Sequence, residues 1–356
     1  MPITPNRILD LAPGVGQVKS TVVYQILDRD LNVIGEVNSL TDCTVSASTT
    51  ATIKRQLGGF KLGEKDLRRV DLFQNRIKVA MLLEDGTSWP LGVYVFTDSA
   101  KKVGSYVSTL DTSLMDQDYI LSQGSRYPYG VNPGGSITDA INFILDDSGI
   151  YQRDVPGDAT VRVGDPLSWP PGTARSEMLK VLCNLAGWLP PYFNNDGVCI
   201  VRPPTDTANV EPDHYYDLHR VAYDTLIEND NLLQAPNVYI VIGTGPSKGD
   251  ISATAEVEAS LPFSVPNRGF VITSIHRTQG LTSTRQAQEM ADALAAQGAD
   301  GFRTVFFAGP PDPRHDLFQT IEFNGGILNE TEWSLPLKGA SMTHSLTLGG
   351  FIQKDS

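Results

Sequence analysis

The chain has 356 residues, enough for two or three domains with ample cores. A net charge of −13 excludes a generally basic, phosphate-gripping surface, because an acidic protein repels nucleic acid. Three scattered cysteines, Cys43, Cys183 and Cys199, form no CxxC pair, which excludes a disulfide framework and a cysteine zinc site and fits a reducing cytoplasm.

The first residues, MPITPNRILDLAPGVG, contain no long apolar run, so no secretory leader is expected. No segment reaches the ~20 apolar residues that span a bilayer. Residues 1–19 are punctuated by Pro and Gly and read as an extended arm. Ser20 to Asp28 is a predicted strand, Arg29 to Asn32 a turn, and Val33 to Val37 the return strand. The run Asp28-Arg29-Asp30-Leu31-Asn32 resembles the start of a calcium loop but fails its pattern. Val33 stands where the sharp turn needs Gly, and Ser39 where a bidentate Glu is needed.

Asp42 to Leu62 continues in strand style, with Cys43, Val45, Ala47, Ala51 and Ile53 on one parity. Arg76 to Asp98 then carries a hairpin pattern: two apolar alternating runs flank Asp85-Gly86, and Pro90 stands at the start of the second strand. Tyr106 to Leu110 is a further strand, closing on Asp111. Residues 20–115 therefore predict an all-β unit of barrel type.

The texture changes next. Ser136 is a predicted N-cap with Asp139 three residues on, and Ile137, Ala140, Ile141, Ile144 and Leu145 fall at helical spacing up to Gly149. A second helix is expected from about Ala174, capped by Thr173, to Gly187. Ala159 to Val163 is a predicted short strand, and Asn194 to Gly197 the turn of another hairpin. Residues 116–205 thus read as a small α+β unit.

Residues 206–356 read as a second β unit with an inserted helix at about 282–297. Its predicted strands are Asn237 to Ile242, Ala253 to Ala259, Val271 to His276, Arg303 to Phe307, Gln319 to Phe323, Thr331 to Leu337 and Met342 to Leu348. Thr282 is the expected helix cap and Gly298 the stop.

No motif for chemistry emerges. Ile242-Gly243-Thr244-Gly245-Pro246-Ser247-Lys248-Gly249 has its Lys before the Gly and no helix after it, so it reads as a hairpin loop. His214 and His219 are five residues apart among Asp213 and Asp217, which does not place two ligands on one helix face, and a polar surface loop is expected. His276, His315 and His344 are isolated in sequence. His344 shares parity with Met342 and Leu346, a half-buried strand position. The acid pairs Glu84-Asp85 and Asp146-Asp147 sit at turns or helix ends, where solvated charge is expected. Trp89, Trp169, Trp188 and Trp333 are scattered without basic neighbours. No residue is assigned to catalysis, cofactor binding or metal binding, and the chain is read as a non-enzyme.

The layout resembles the tail-hub, or baseplate-hub-like minor tail, proteins of bacteriophages. The resemblance is carried by Thr44 to Leu57 with its basic exit Lys54-Arg55, by Asp85-Gly86 with Pro90 to Tyr94, and by Tyr106 to Leu114. The helices at 136–148 and 174–186, Thr282 to Ala296, and Pro313 to Phe323 complete it. Where that family opens a strand with a Gly-Asp pair, His315 precedes Asp316. The resemblance implies a mainly β chain with α+β: two barrel-like β domains separated by a small α+β domain. It implies a structural virion protein of the tail tip, made in the host cytoplasm. This protein would form a homotrimer that closes or extends the distal tail tube. Implied partners are the distal tail or tube protein, the tape measure protein and the tip or fibre proteins, with DNA only as passing cargo. A sixfold distal tail ring, a tail-tip cell-wall hydrolase and a host-binding module are the alternatives.

Overall fold

The computed structural model describes residues 20–83, 85–103, 108–157, 162–204, 211–216, 225–230, 235–244, 251–279, 281, 283–300, 303–323, 326–338 and 341–347. The expected arm at 1–19 lies outside these residues, as does His219.

The first unit opens with β1 (Ser20–Leu27), β2 (Val33–Val37), β3 (Thr44–Ser48), β4 (Arg55–Gly58) and β5 (Lys61–Gly63), then the single turn α1 (Glu64–Leu67). The long pair β6 (Arg76–Leu83) and β7 (Ser88–Val103) follows, then β8 (Ser108–Asp116) and the short α2 (Asp118–Leu121). Asp28 turns the β1–β2 hairpin by accepting from the N–H groups of Asp30 and Asn32 at 2.9 Å each. The carboxylate therefore serves a turn, as the failed calcium pattern requires.

Strands β1, β2, β5, β8, β7 and β6 close on themselves. Neighbours pair along that order, and the gap between β2 and β5 is bridged by Ser39 with Leu62 and by the Leu40 N–H donating to Lys61 O at 2.8 Å. The expected barrel is thus formed. The stretch from Asp42 to Leu62 is not one strand: it breaks at 49–54, so Cys43, Val45 and Ala47 are buried while Ala51 and Ile53 are only half-buried.

The second unit contains β9 (Tyr129–Val131), α3 (Ile137–Asp147), β10 (Arg153–Asp154), β11 (Leu167–Trp169), α4 (Arg175–Ala186), β12 (Tyr192–Phe193) and β13 (Cys199–Ile200). Ser136 caps α3 by accepting from the Asp139 N–H at 3.2 Å. Gly149 and Gly187 follow α3 and α4 in the left-handed region, at φ 71° each, where a residue without Cβ is favoured. The two helices pack through Ile141, Ile144, Leu145, Leu179 and Leu182, all within one core. The cap of α4 differs from expectation. Ala174 holds the N-cap position without a side-chain bond, and Thr173 instead donates to Pro170 O at 2.8 Å. Of the predicted strand at 159–163, residues 158–161 are outside the described set and Arg162 makes one bridge to Ser136.

The rest comprises β14 (His214–Tyr216), β15 (Thr225–Asp230), β16 (Val238–Thr244), β17 (Ser252–Glu256), the short α5 (Val265–Arg268), β18 (Thr273–Gln279) and α6 (Thr284–Asp300). Then come β19 (Arg303–Gly309), β20 (Thr320–Phe323), β21 (Gly326–Pro336) and β22 (Met342–Thr347). Pairing runs β15-β19-β22-β21, and β21 continues to β20 and, parallel, to β14. The inserted helix does not come alone. Strands β17, β16 and β18 form their own sheet, and α6 covers it through Ala287, Ala291 and Ala295 against Tyr239 and Val241. Gly298 does not end α6, which runs to Asp300; any side chain added there would overlap the Tyr239 ring. Ser283 accepts from the Gln286 N–H at 3.2 Å at the start of that helix, while Thr282 lies outside the described residues.

The first and third parts share one sheet. β21 pairs with β3 over Glu332–Pro336 and Thr44–Ser48, and β3 leads through β4 to β8. One core follows this joint: Val45, Leu57 and Leu62 pack with Trp333, Leu335 and Met342. No helix among the described residues is long and apolar enough to cross a membrane.

Candidate functional site at the junction of the units

The hairpin β6–β7 is irregular at one place. Lys78 faces Val93 but Ala80 faces Pro90, so Leu91-Gly92 carries an extra residue as a bulge. Gly92 has φ 124°, and a Cβ there would stand 2.7 Å from Tyr94 Oη and 2.9 Å from Arg55 Cδ. Only glycine suits both the backbone and the space. Tyr94, fully buried, donates its hydroxyl to Leu91 O at 2.7 Å. The Pro90-to-Tyr94 stretch therefore makes a bed for Arg55.

Arg55 is wholly buried and joins all three parts. It donates to Asp316 Oδ1 at 2.6 Å and to Phe193 O at 3.2 Å, and its guanidinium lies 5.9 Å from the Trp333 ring centroid. Asp316 Oδ2 accepts from the Asn195 N–H at 3.0 Å, and Asn195 Nδ2 donates to His315 O at 2.8 Å. The 312–319 loop, the 194–197 turn and β4 are thereby fixed to one another. The expected basic exit, Lys54-Arg55, is thus a pair of buried cations with assigned carboxylates. Lys54 Nζ lies 3.4 Å from Asp118 Oδ2, and both side chains are about 5% exposed or less. Asp116, beside them, accepts the Asp118 N–H at 3.1 Å, and its Oδ2 has no hydrogen-bond partner among the described residues. Burial first, then the neighbouring Asp118 charge, pushes the Asp116 carboxyl well above the usual range. Burial also raises Asp118, against the pull of Lys54.

The histidines are a correction to the sequence reading. His214 is no surface-loop residue: it is buried on β14 and stacks on His315, with centroids 3.8 Å apart and planes within 7°. His315 and His344 are not isolated either. Both present Nδ1 to the buried Glu330, at 2.7 and 2.6 Å. With Glu330 as carboxylate both Nδ1 atoms donate, so His315 Nε2 accepts from the Tyr216 hydroxyl at 2.8 Å. Gln319 Oε1 accepts from the Asp316 N–H at 2.7 Å, so His214 donates to it through Nε2 at 2.9 Å. Asp312, held by Arg314 at 2.6 Å, lies 3.8 Å from His214 Nδ1.

Two groups here have donor atoms close enough for one metal ion: His214, Asp312 and His315, and His315, Glu330 and His344. Their geometry is that of a hydrogen-bonded network. Both His315 nitrogens and both Glu330 oxygens are engaged at 2.6–2.8 Å. Ligands around a single ion stand farther apart, about 3.3 Å for bonds of ~2.0 Å in a tetrahedral site. Burial pushes His214 and His315 down to about 4 and lowers His344. It raises Glu330, against the pull of His344.

The remaining candidates take structural places. Asp85 Oδ1 accepts from the Thr87 N–H at 2.8 Å in the hairpin turn. Asp146 and Asp147 are not merely solvated but pair with Arg153 and Arg175 at 2.5 and 2.7 Å. His276 contacts Ser274 Oγ at 3.1 Å. Ile242 faces Ser252 across β16–β17, so the Gly-rich run joins two antiparallel strands; its residues 245–250 lie outside the described set. Cys43, Cys183 and Cys199 are buried and free.

No protein-family model and no curated protein matches the chain. Solved structures do. A tail protein from Neisseria meningitidis MC58 superposes with a TM-score of 0.62 at 11% identity, over 92% of this chain and 96% of that one. The 43 kDa tail protein of prophage MuSo2 from Shewanella oneidensis gives 0.58 at 13% identity, over 92% and 98%. A prophage tail protein from Listeria monocytogenes EGD-e gives 0.54 at 9% identity, over 94% and 95%. The fold is that of phage tail proteins, as the layout of the sequence led us to expect.

Proposed function

We propose that the chain is a structural subunit of a phage-type tail tip, a hub protein that assembles as a ring of three at the distal end of the tail tube. The single observation that carries this reading is the end-to-end fold likeness to tail proteins, over 92% of this chain and 96% of the Neisseria one. The β21–β3 joint supports it. The six strands of the closed first barrel and the six-strand run β14-β20-β21-β22-β19-β15 give each subunit two β bodies joined through one sheet. Three subunits then offer six such bodies, which suits a sixfold tube on one side and threefold parts on the other. We keep 20–115, 116–205 and 206–356 as the domain plan of this proposal.

The partners in this reading are other copies, the tube or distal tail protein, the tape measure protein and the tip or fibre proteins, within the virion. The outer face across the joint suits a passage for DNA. Ser46, Gln56, Ser334, Thr343 and Ser345 lie along it with the carboxylate Glu332, and hydroxyls, an amide and an acid offer phosphate no ion pair. The chemistry is non-enzymatic, and the protein acts through its interfaces. Subunit counting by mass photometry and particle reconstruction tests the proposal: threefold rings at the tail tip are expected. A sixfold ring would move the chain to the distal-tail role, and a protein that stays monomeric at high concentration and is missing from particles would overturn both. Peptidoglycan turnover by the purified protein would overturn its non-enzymatic part.

A further inference from the structure

We propose that Lys54 and Asp118 become joined by an intramolecular amide bond, formed spontaneously after folding with Asp116 as the proton carrier. Nothing in the hub reading requires this bond, and it stands or falls separately.

The geometry has three parts. First, the amine and the carboxyl are held together by rigid elements. Lys54 directly precedes β4, Asp118 opens α2 directly after β8, and β4 pairs with β8 through Gln56–Met115 and Leu57–Leu114. Both the Lys54 N–H, at 3.2 Å, and Lys54 Nζ, at 3.4 Å, address Asp118 Oδ2. The amine is thereby held against the carboxyl group whose Cγ it would attack, and such positioning by rigid elements removes much of the entropic cost of bringing the two groups together. Second, the contact is a poor ion pair. Charge-assisted N–H···O bonds settle near ~2.7–2.9 Å, and this one is 3.4 Å long with Lys54 and Asp118 only 5% and 4% exposed. Two buried ions carry a desolvation penalty that such a contact does not offset, whereas an amide carries no charge. Third, a second buried acid is in place. Asp116 is 1% exposed, its Oδ1 anchors the Asp118 N–H, and its Oδ2 has no hydrogen-bond partner among the described residues. Burial favours its protonated form, which is the state a proton carrier needs.

The step balances without an oxidant or reductant. In the low-dielectric site the ammonium of Lys54 returns a proton to the Asp118 carboxylate, giving a neutral amine and a neutral acid. Nζ attacks Cγ of Asp118. Asp116 takes a proton from the nitrogen as it gives its own to the departing hydroxyl. The C–O bond breaks, one water leaves, and Asp116 ends as it began. The product ties the start of β4 to the start of α2, one residue from the Arg55 junction.

The test is intact-mass spectrometry of the full folded chain, with peptide mapping after proteolysis. The expected result is a protein lighter by one water, in which trypsin no longer cuts at Lys54 and the Lys54 peptide is linked to the Asp118 peptide. Mapping also separates this from water loss at Asp85-Gly86. Lys54→Arg should keep its full mass. Asp118→Asn should instead lose one ammonia to reach the same link. Asp116→Asn, with folding confirmed by its thermal melt, should remain unlinked. Folded wild-type protein that keeps its full mass after long incubation, with a free Lys54 peptide, overturns the proposal. A linked Asp116→Asn protein overturns the assigned role of Asp116.

Discussion

At the scale of residues, Arg55 shows how one buried charge organises three segments distant in sequence. Removing it leaves Asp316 without its cation and the Phe193 carbonyl without its donor. We expect Arg55→Met to cost roughly 3–5 kcal/mol, the range for breaking one side of a buried pair. Urea titration measures it, and Arg55→Met with Asp316→Asn should lose less than the sum of the two single losses, because the sites are coupled. Gly92→Ala should cost about 1–3 kcal/mol, since the new methyl meets Tyr94 and Arg55 at a backbone φ of 124°.

The histidines set an acid limit. His214 and His315 ionise near 4 in the fold and near ~6.5 when unfolded. Between these values the unfolded chain binds more protons, so stability falls as pH drops from about 6.5 towards 4. His344 and the lowered Asp312 act in the same sense, Asp312 below its unfolded value. Glu330, Asp116 and Asp118, with their raised carboxyls, act in the opposite sense. Arg314, Asp213 and Tyr216 complete the charged and titratable surroundings of the stack. Thermal melts across this window should show a Tm that falls with acidity, and His214→Gln should flatten the fall. An equally steep profile in that variant would exclude His214 as a source.

At the scale of elements, periodic and turn signals were readable and long-range pairing was not. Alternation around Asp85-Gly86 places β6 and β7, and the Ser136 cap with helical spacing places α3, because these depend on residues a few positions apart. Ser136→Ala should therefore cost about 1 kcal/mol, seen as faster amide exchange in the first turn of α3. His214 could not be placed in this way. Its partners His315 and Gln319 lie about a hundred residues away and reach it only because β14 pairs in parallel with β20. A three-residue strand leaves almost no alternation to detect. Lys54-Arg55 is legible in the sequence only as a basic exit, because charge alone carries no information about the carboxylate that will meet it. Gly298 looked like a helix stop because its reason, the Tyr239 ring, comes from another element.

At the scale of the whole molecule, the broad layout was legible: two β-rich parts, an α+β part between them and a helix in the second. Their fusion through β21 and β3 was not, since no local pattern marks Ser46 as the partner of Ser334. Leu335, fully buried at this joint, offers a global test. Leu335→Ala should cost about 2–5 kcal/mol, and both β bodies should lose stability together in a single transition by amide exchange. Separate transitions for the two would show that the joint does not couple them.

The same joint bears on synthesis. Residues 44–48 wait for residues 332–336 before their second edge is paired. A ribosome adds residues at roughly 5–20 per second, so this edge stays open for much of the time taken to make the chain. An exposed strand edge invites pairing with other chains, and distant partners make folding slow. Newly made protein should therefore be most prone to aggregate just before β21 emerges, and truncation ahead of it should leave the first barrel with a permanently sticky side.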